Sequence, residues 1–233
     1  MINDHVALRT FSDPRVGIDV IARPFIDAGY KPMQEYSFWT KKLRARHYEL
    51  PEYPEFPRVF ISELLLDHCS EGLRSTIQRK LDELPESVLS SSDLIFKGSI
   101  FKSKTHKVYS QLREESEYAG WLYVFGFRAN HFTVSINYLE HFQGIEEVNA
   151  FLKSNGFPLN RSGGEIKGSP AQLLEQSSTL ADRIHMAFED GEFVIPACYY
   201  EFARRYEGSD GKLFNGFISD SADRIFESTD FRE

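Results

Sequence analysis

Three segments far apart in the 233-residue chain each offer one side chain able to bind a metal: His5 in DHVALRTF, His131 in RANHFTVSIN and Glu201 in YYEFARRY. Two imidazoles and one carboxylate gathered on adjacent strands hold a first-row metal such as Fe(II) on one face and leave the opposite positions open for substrate and oxygen. His5 and His131 stand out among the seven histidines because each falls on the polar face of an alternating segment, where a structural residue is ordinarily apolar or solvated. His47, His68, His106, His141 and His185 lack that setting. Glu201 sits between Tyr200 and Phe202, and a carboxylate buried there needs a counter-charge. A metal would supply it, and so would Arg204, Arg205 or Arg128; Glu63 and Glu175 are rival carboxylate ligands.

Arg9 follows His5 on the same strand face, roughly 13 Å further along at ~3.3 Å per residue. Its guanidinium can fold back part of that distance and meet the far carboxylate of a small dicarboxylate whose 2-oxo acid end chelates the metal. Pairing with an acidic neighbour such as Asp4 or Glu201 is the plainer alternative. Ser135, Gln176, Ser177 and Ser178 are candidates for orienting ligands or substrate, or else satisfied strand hydrogen bonds. Gly163, Gly164 and Gly168 suit a close backbone approach to a ligand and serve turns equally well.

These residues need strands to carry them. HVALRTF alternates with period two, and a helix starting after Ser12-Asp13-Pro14 runs toward Gly29. SFWTKKLRARHYEL and RVFISELLLDHC read as strands on either side of the turn PEYPEFP, and SEGLRSTIQRKLDELP as a helix. Residues 86–107, rich in Ser and Lys, read as an irregular excursion with the character of a lid. One helix is expected through YSQLREESEYAGWLYVFG. In FRANHFTVSINYL, His131, Thr133, Ser135 and Asn137 share a polar face, while Phe132, Val134, Ile136 and Tyr138 share a face expected in the core. A short helix in GIEEVNAFLKSNG and strands in GGEIKGS, QLLEQSST, DRIHMAFED and EFVIPACYYEFARRY complete a second half. Both halves run strand, helix, strands. The expected fold is α+β, with paired βαβββ-like units forming an open, barrel-like mixed sheet flanked by helices, as one catalytic unit over residues 1–233.

Composition narrows the function. With 41% hydrophobic residues and 20 Phe, the chain can bury a sizeable core. A net charge of -8 and a pI near 5.5 disfavour nucleic acid as a partner. Lys41, Lys42, Arg44 and Arg46 read as a solvated strand face. The two cysteines, Cys69 and Cys198, are too few for a disulfide framework and fit a reducing cytoplasm. No leader opens the chain, and no run approaches the ~20 apolar residues of a membrane span. A serine nucleophile elbow, HExxH, paired CxxC, dinucleotide fingerprint and phosphate loop are all missing.

DHVALRTF, PRVFISELL, RANHFTVSIN, SGGEIKGSPAQLLEQSSTLAD, YYEFARRY and ADRIFEST, in that order and over nearly the whole chain, resemble the family once known as DUF1338, the 2-oxoadipate dioxygenase/decarboxylases, whose fold is related to the vicinal oxygen chelate proteins. The resemblance implies an Fe(II) enzyme that converts 2-oxoadipate and O2 to 2-hydroxyglutarate and CO2 in lysine catabolism. It further implies metal ligation by His5, His131 and Glu201, and substrate binding by Arg9; it is what promotes Glu201 above Glu63 and Glu175. One departure is that relatives carry a helical segment before the first histidine, where this sequence has four residues; lacking that helix would loosen the pocket wall. Two other functions suit the same residues: a zinc- or manganese-dependent hydrolase or lyase using metal-activated water, and a metal-free protein that binds a dicarboxylate through Arg9.

Overall fold

A computed structural model of the protein describes residues 1–229; the last four positions of the expected 1–233 unit lie outside the described residues. The first half consists of β1 (Asn3–Phe11), α1 (Ile18–Asp27), β2 (Lys31–Phe38), β3 (Leu43–Glu49) and β4 (Arg58–Leu64). A helical connection follows, with α2 (Glu71–Asp82), α3 (Glu86–Leu89), α4 (His106–Glu115) and α5 (Glu117–Phe125). The second half contains β5 (Ala129–Ser135), α6 (Ile145–Ser154), β6 (Lys167–Ser169), β7 (Leu174–Ser178), β8 (Arg183–Phe188), β9 (Gly191–Pro196) and β10 (Tyr199–Arg205), and α7 (Ser219–Ile225) closes the fold.

Eight strands form one sheet in the order β2-β3-β4-β1-β5-β10-β7-β6, and β8 and β9 pair separately as a hairpin inserted in the second half. Within each half the first strand lies parallel to the last, β1 on β4 and β5 on β10. The halves join through the antiparallel β1/β5 pair. The expected paired βαβββ arrangement is therefore present. The mixed sheet curls into an open half-barrel, its two central strands coming from different halves.

Local chemistry sets most of the boundaries. Ser70 caps α2 by accepting from the Leu73 amide, and Thr105 caps α4 through the Val108 amide. The single helix expected over 109–126 is two, because Ser116 leaves the helical conformation and its hydroxyl accepts the Ala119 amide to start α5. α5 is buried on all sides, from Tyr118 to Phe125, as a helix apolar all round must be. The strand expected over SFWTKKLRARHYEL is interrupted by a 3-10 turn at Trp39–Lys41, after which Lys42 adopts φ 57. The segment EFVIPACYYEFARRY also divides: β9 ends at Pro196, which has no amide to donate, and β10 begins at Tyr199 in the other sheet.

Two further expectations change. β5 ends at Ser135, and Ile136–Tyr138 is a 3-10 turn. Of the face expected in the core, Val134 and Ile136 are buried, but Phe132 and Tyr138 are 45% and 50% exposed. The reason is that α6 covers only part of the sheet's outer side, around Ile136. Residues 86–107 hold α3, a 3-10 turn at Leu94–Phe96 and the first residues of α4, and Leu94, Ile95, Ile100 and Phe101 anchor them in the main core. Gly168 lies within β6 at φ +80, where a Cβ would collide with the Leu174 carbonyl oxygen. Lys41, Lys42, Arg44 and Arg46 each pair with a carboxylate. Among the described residues no helix is long and apolar enough to cross a membrane.

Candidate functional site

Strand register brings the three candidate ligands together. In the β1/β5 pair His5 lies opposite Thr133 and Ala7 opposite His131, and in the β5/β10 pair Glu201 lies opposite the same Thr133. Each candidate then projects from one of three adjacent central strands toward a common point. One ligand atom from each falls within 4.8 Å of the others. Glu201 Oε2 is 3.0 Å from His131 Nε2 and 3.6 Å from His5 Nε2. All three side chains are buried.

The residue before each histidine orients its ring. Asp4 Oδ1 is 2.8 Å from His5 Nδ1, and Asn130 Oδ1 is 3.1 Å from His131 Nδ1. Both contacts favour a proton on Nδ1, which leaves the Nε2 lone pairs facing inward, that of His131 toward Glu201 and that of His5 beside the Thr133 hydroxyl at 3.0 Å. Asp4 is held in turn by the Arg205 fork, with Nε donating to Oδ2 at 2.7 Å and Nη2 to Oδ1 at 2.9 Å. Gln176 Nε2 donates to Glu201 Oε1 at 2.5 Å.

Electrostatics separates the two imidazoles. Burial opposes charge on both; Glu201 and Asp4 overcome it at His5, whose pKa is raised. At His131 burial wins despite Glu201, because His5 and Arg9 also oppose a proton there, and the pKa falls. Burial would raise the Glu201 carboxyl, but the neighbouring histidines bring it down to about 2. An ionised carboxylate thus faces a neutral imidazole. His131 Nε2 is near Glu201 but not aligned for a hydrogen bond, and has no hydrogen-bond partner among the described residues. A buried lone pair without a donor, beside an ionised carboxylate and a second imidazole, fits a bound metal ion.

These residues line a cavity of about 30 Å³ that continues past Tyr199 to Arg9 and is roofed by Phe217, Ile225 and Phe226 from the C-terminal segment. The Phe217 ring lies 4.8 Å from the His5 ring. No residue of 86–107 lines the cavity, so the cover comes from another part of the chain. Arg9 is only 1% exposed; Nη1 donates to Glu117 Oε2 at 3.2 Å and Nη2 to Thr229 Oγ1 at 3.1 Å. Its acidic partner is therefore Glu117, and neither Asp4 nor Glu201. Tyr118 and Trp121 stack near the guanidinium, at 4.8 and 5.4 Å.

The rival assignments for Glu201 find other partners. Arg205 holds Asp4, Arg204 donates to the Gln143 carbonyl, and Arg128 lies over Phe125. Glu63 accepts from Arg44 and from the Ile18 amide, and Glu175 accepts from Tyr206. The cavity gathers His5, His131, Glu201, Arg9 and Gln176. Ser135 lines a separate cleft with Asp4 and Arg205. Ser177 turns to the opposite face and donates to Asn149 Oδ1 at 2.7 Å, while Ser178 meets Ser228 at 2.8 Å. Sequence reasoning passed over Asp4 and Asn130 as orienting groups, although the Asx-His dipeptide occurs at both histidines. Glu117, Tyr199 and the aromatic roof carried no local signal.

The curled mixed sheet of paired βαβββ units recurs in known structures. A protein of Ralstonia eutropha provisionally assigned to the glyoxalase superfamily shares this fold, with a TM-score of 0.74 and 20% identity over 94% of this chain and 75% of that one. The sequence pattern of the 2-oxoadipate dioxygenase/decarboxylase family matches residues 1–95 and 94–212. The 2-oxoadipate dioxygenase/decarboxylase, chloroplastic, of Arabidopsis thaliana is 38% identical over 97% of this chain and 67% of its own length. The hydroxyglutarate synthase of Oryza sativa, solved in complex with 2-oxoadipate, has a TM-score of 0.88 at 35% identity, over 98% of this chain and 80% of that one. A provisionally assigned hydrolase of Shewanella frigidimarina has a TM-score of 0.87 at 47% identity, over 94% and 85%. The chain belongs to the 2-oxoadipate dioxygenase/decarboxylase family, a family of oxidoreductases.

Proposed function

We propose that this protein is an Fe(II)-dependent dioxygenase/decarboxylase acting on 2-oxoadipate or a close 2-oxo dicarboxylate, with O2 as co-substrate and 2-hydroxyglutarate and CO2 as products. The observation that carries this reading is the buried His5, His131 and Glu201 cluster at one end of a cavity whose other end is Arg9. Two imidazoles and one carboxylate with open positions favour Fe(II) over metals that prefer closed thiolate sites. Fe(II) held by these residues supplies redox and Lewis-acid chemistry for O2 and the 2-oxo acid. The atoms balance: the six-carbon substrate loses one carbon as CO2, and both atoms of O2 enter the products.

The chain's own groups do the positioning. Asp4 and Asn130 keep the Nε2 lone pairs directed at the metal site. Arg9 binds the distal carboxylate through Nε, the donor that Glu117 and Thr229 leave without a partner. Phe217 and Phe226 exclude water. A cavity of about 30 Å³ is too small for a six-carbon dicarboxylate, so this roof has to yield during binding. The whole sheet acts as one catalytic unit, and the free cysteines suit a reducing compartment such as the cytoplasm.

Anaerobic reconstitution with Fe(II), followed by oxygen uptake and product analysis on 2-oxoadipate, tests the proposal. The expected result is one O2 consumed per 2-hydroxyglutarate and CO2 formed. Full turnover with zinc and no oxygen uptake would replace it with a metal-dependent hydrolase or lyase. Undiminished dicarboxylate binding after chelation, without turnover, would leave only a binding protein.

A further inference from the structure

Several buried polar atoms around the cavity lack partners, and the Tyr199 hydroxyl is the one with the least structural excuse. Its ring stacks on His131, with centroids 4.6 Å apart and planes inclined by 28°. Tyr199 is 4% exposed, it lines the cavity, and among the described residues its oxygen has no hydrogen-bond partner. Phenylalanine would make the same ring contacts without burying an unpaired hydroxyl, so packing gives no account of the oxygen. Tyr199 and Glu201 lie two residues apart on the same face of β10, and Arg9 lines the same cavity.

We infer that the Tyr199 hydroxyl is a substrate-binding group that donates a hydrogen bond to an oxygen of the bound 2-oxo dicarboxylate. This inference rests on the function proposed above. The direction of the bond follows from the chemistry: such a ligand offers only oxygen acceptors, and a neutral phenol supplies one donor. Arg9 Nε is a second donor on the same cavity without a partner among the described residues. The two together would hold the ligand at more than one point along its length, so that its 2-oxo end meets the metal site in a single orientation.

The test is Tyr199→Phe, which keeps the ring stacked on His131 and removes only the oxygen. Binding of 2-oxoadipate is measured anaerobically by calorimetry on Fe(II)-loaded wild type and variant, alongside metal content and thermal melting. The expected result is unchanged iron content, a melting temperature equal to or above that of wild type, and binding weakened about tenfold or more, as for a hydrogen bond to a charged acceptor. Equal affinity in the two proteins would overturn the inference while leaving the proposed function standing. Loss of iron from Tyr199→Phe would also overturn it, because the hydroxyl would then support the metal site. Failure of the wild-type protein itself to bind 2-oxoadipate would sink the functional proposal and this inference with it.

Discussion

The two halves of the sheet have the same topology and contribute unequally to the site. The β1/β5 register relates them by a pseudo-twofold, with His5 and His131 at equivalent positions. Asp4 and Asn130 then correspond as the groups that orient the imidazoles. Beyond that the correspondence fails. Glu201 in the second half matches Phe60 in the first, Tyr199 matches Arg58, and Arg9 in the first half matches Ser135 in the second. The shared scaffold supplies the paired imidazoles, while the carboxylate and the guanidinium come from one half each. That inequality provides a direction: one end of the cavity suits a metal and the other a carboxylate.

The equivalence of the two halves faces its severest test at the histidines. Equivalent positions predict equivalent losses, so His5→Ala and His131→Ala should each abolish iron retention, exceeding the roughly 10–100-fold typical of outer-sphere substitutions. Metal analysis after gel filtration checks this; retention by either variant would end the three-ligand assignment. Arg9→Ala should keep iron yet lose 2-oxoadipate binding. By leaving Glu117 without its cation it should also cost up to about 3–5 kcal/mol of stability, read from denaturant unfolding. Restored stability, without restored binding, in the Arg9→Ala/Glu117→Gln double variant would separate the two roles.

Asp4 sharpens the contrast with neutral Asn130. Burial would raise its pKa, but Arg205 and His5 hold it well below 3.8. A depressed folded pKa means that the unfolded chain binds more protons in acid, so this contribution is complete above pH ~4 and is lost as pH falls further. Asp4→Asn should therefore flatten the decline of stability with acid, measured by urea unfolding at stepped pH, and Asn130→Ala should leave that slope unchanged. The smallest effect is expected at Ser177→Ala, which removes one hydrogen bond to Asn149. A loss of about 1 kcal/mol with unaltered 2-oxoadipate affinity is the expected outcome, and weakened binding would restore Ser177 to the site.

Alternation alone singled out His5 and His131 as candidates, because a polar residue repeating at period two within an otherwise apolar strand has few structural uses. It also pointed to the paired βαβββ order. It could not choose Glu201 from among Glu63 and Glu175, since each sits on a credible strand and only the register shows which carboxylate meets the imidazoles. Between the two readings left open for Ser177 the register decides, since neighbours on a strand face opposite sides, so that Gln176 reaches Glu201 while Ser177 meets α6.

The sequence by itself determined the strand periodicity, the helix caps and the side-chain types able to bind a metal, all set by interactions among near neighbours. Only the tertiary structure decided the partner of Arg9, which lies 108 residues away at Glu117, and the roof, which comes from the C-terminal segment and not from 86–107. Those choices depend on how the curled sheet brings distant strands and helices into contact, and nothing in the local pattern of residues encodes such distances.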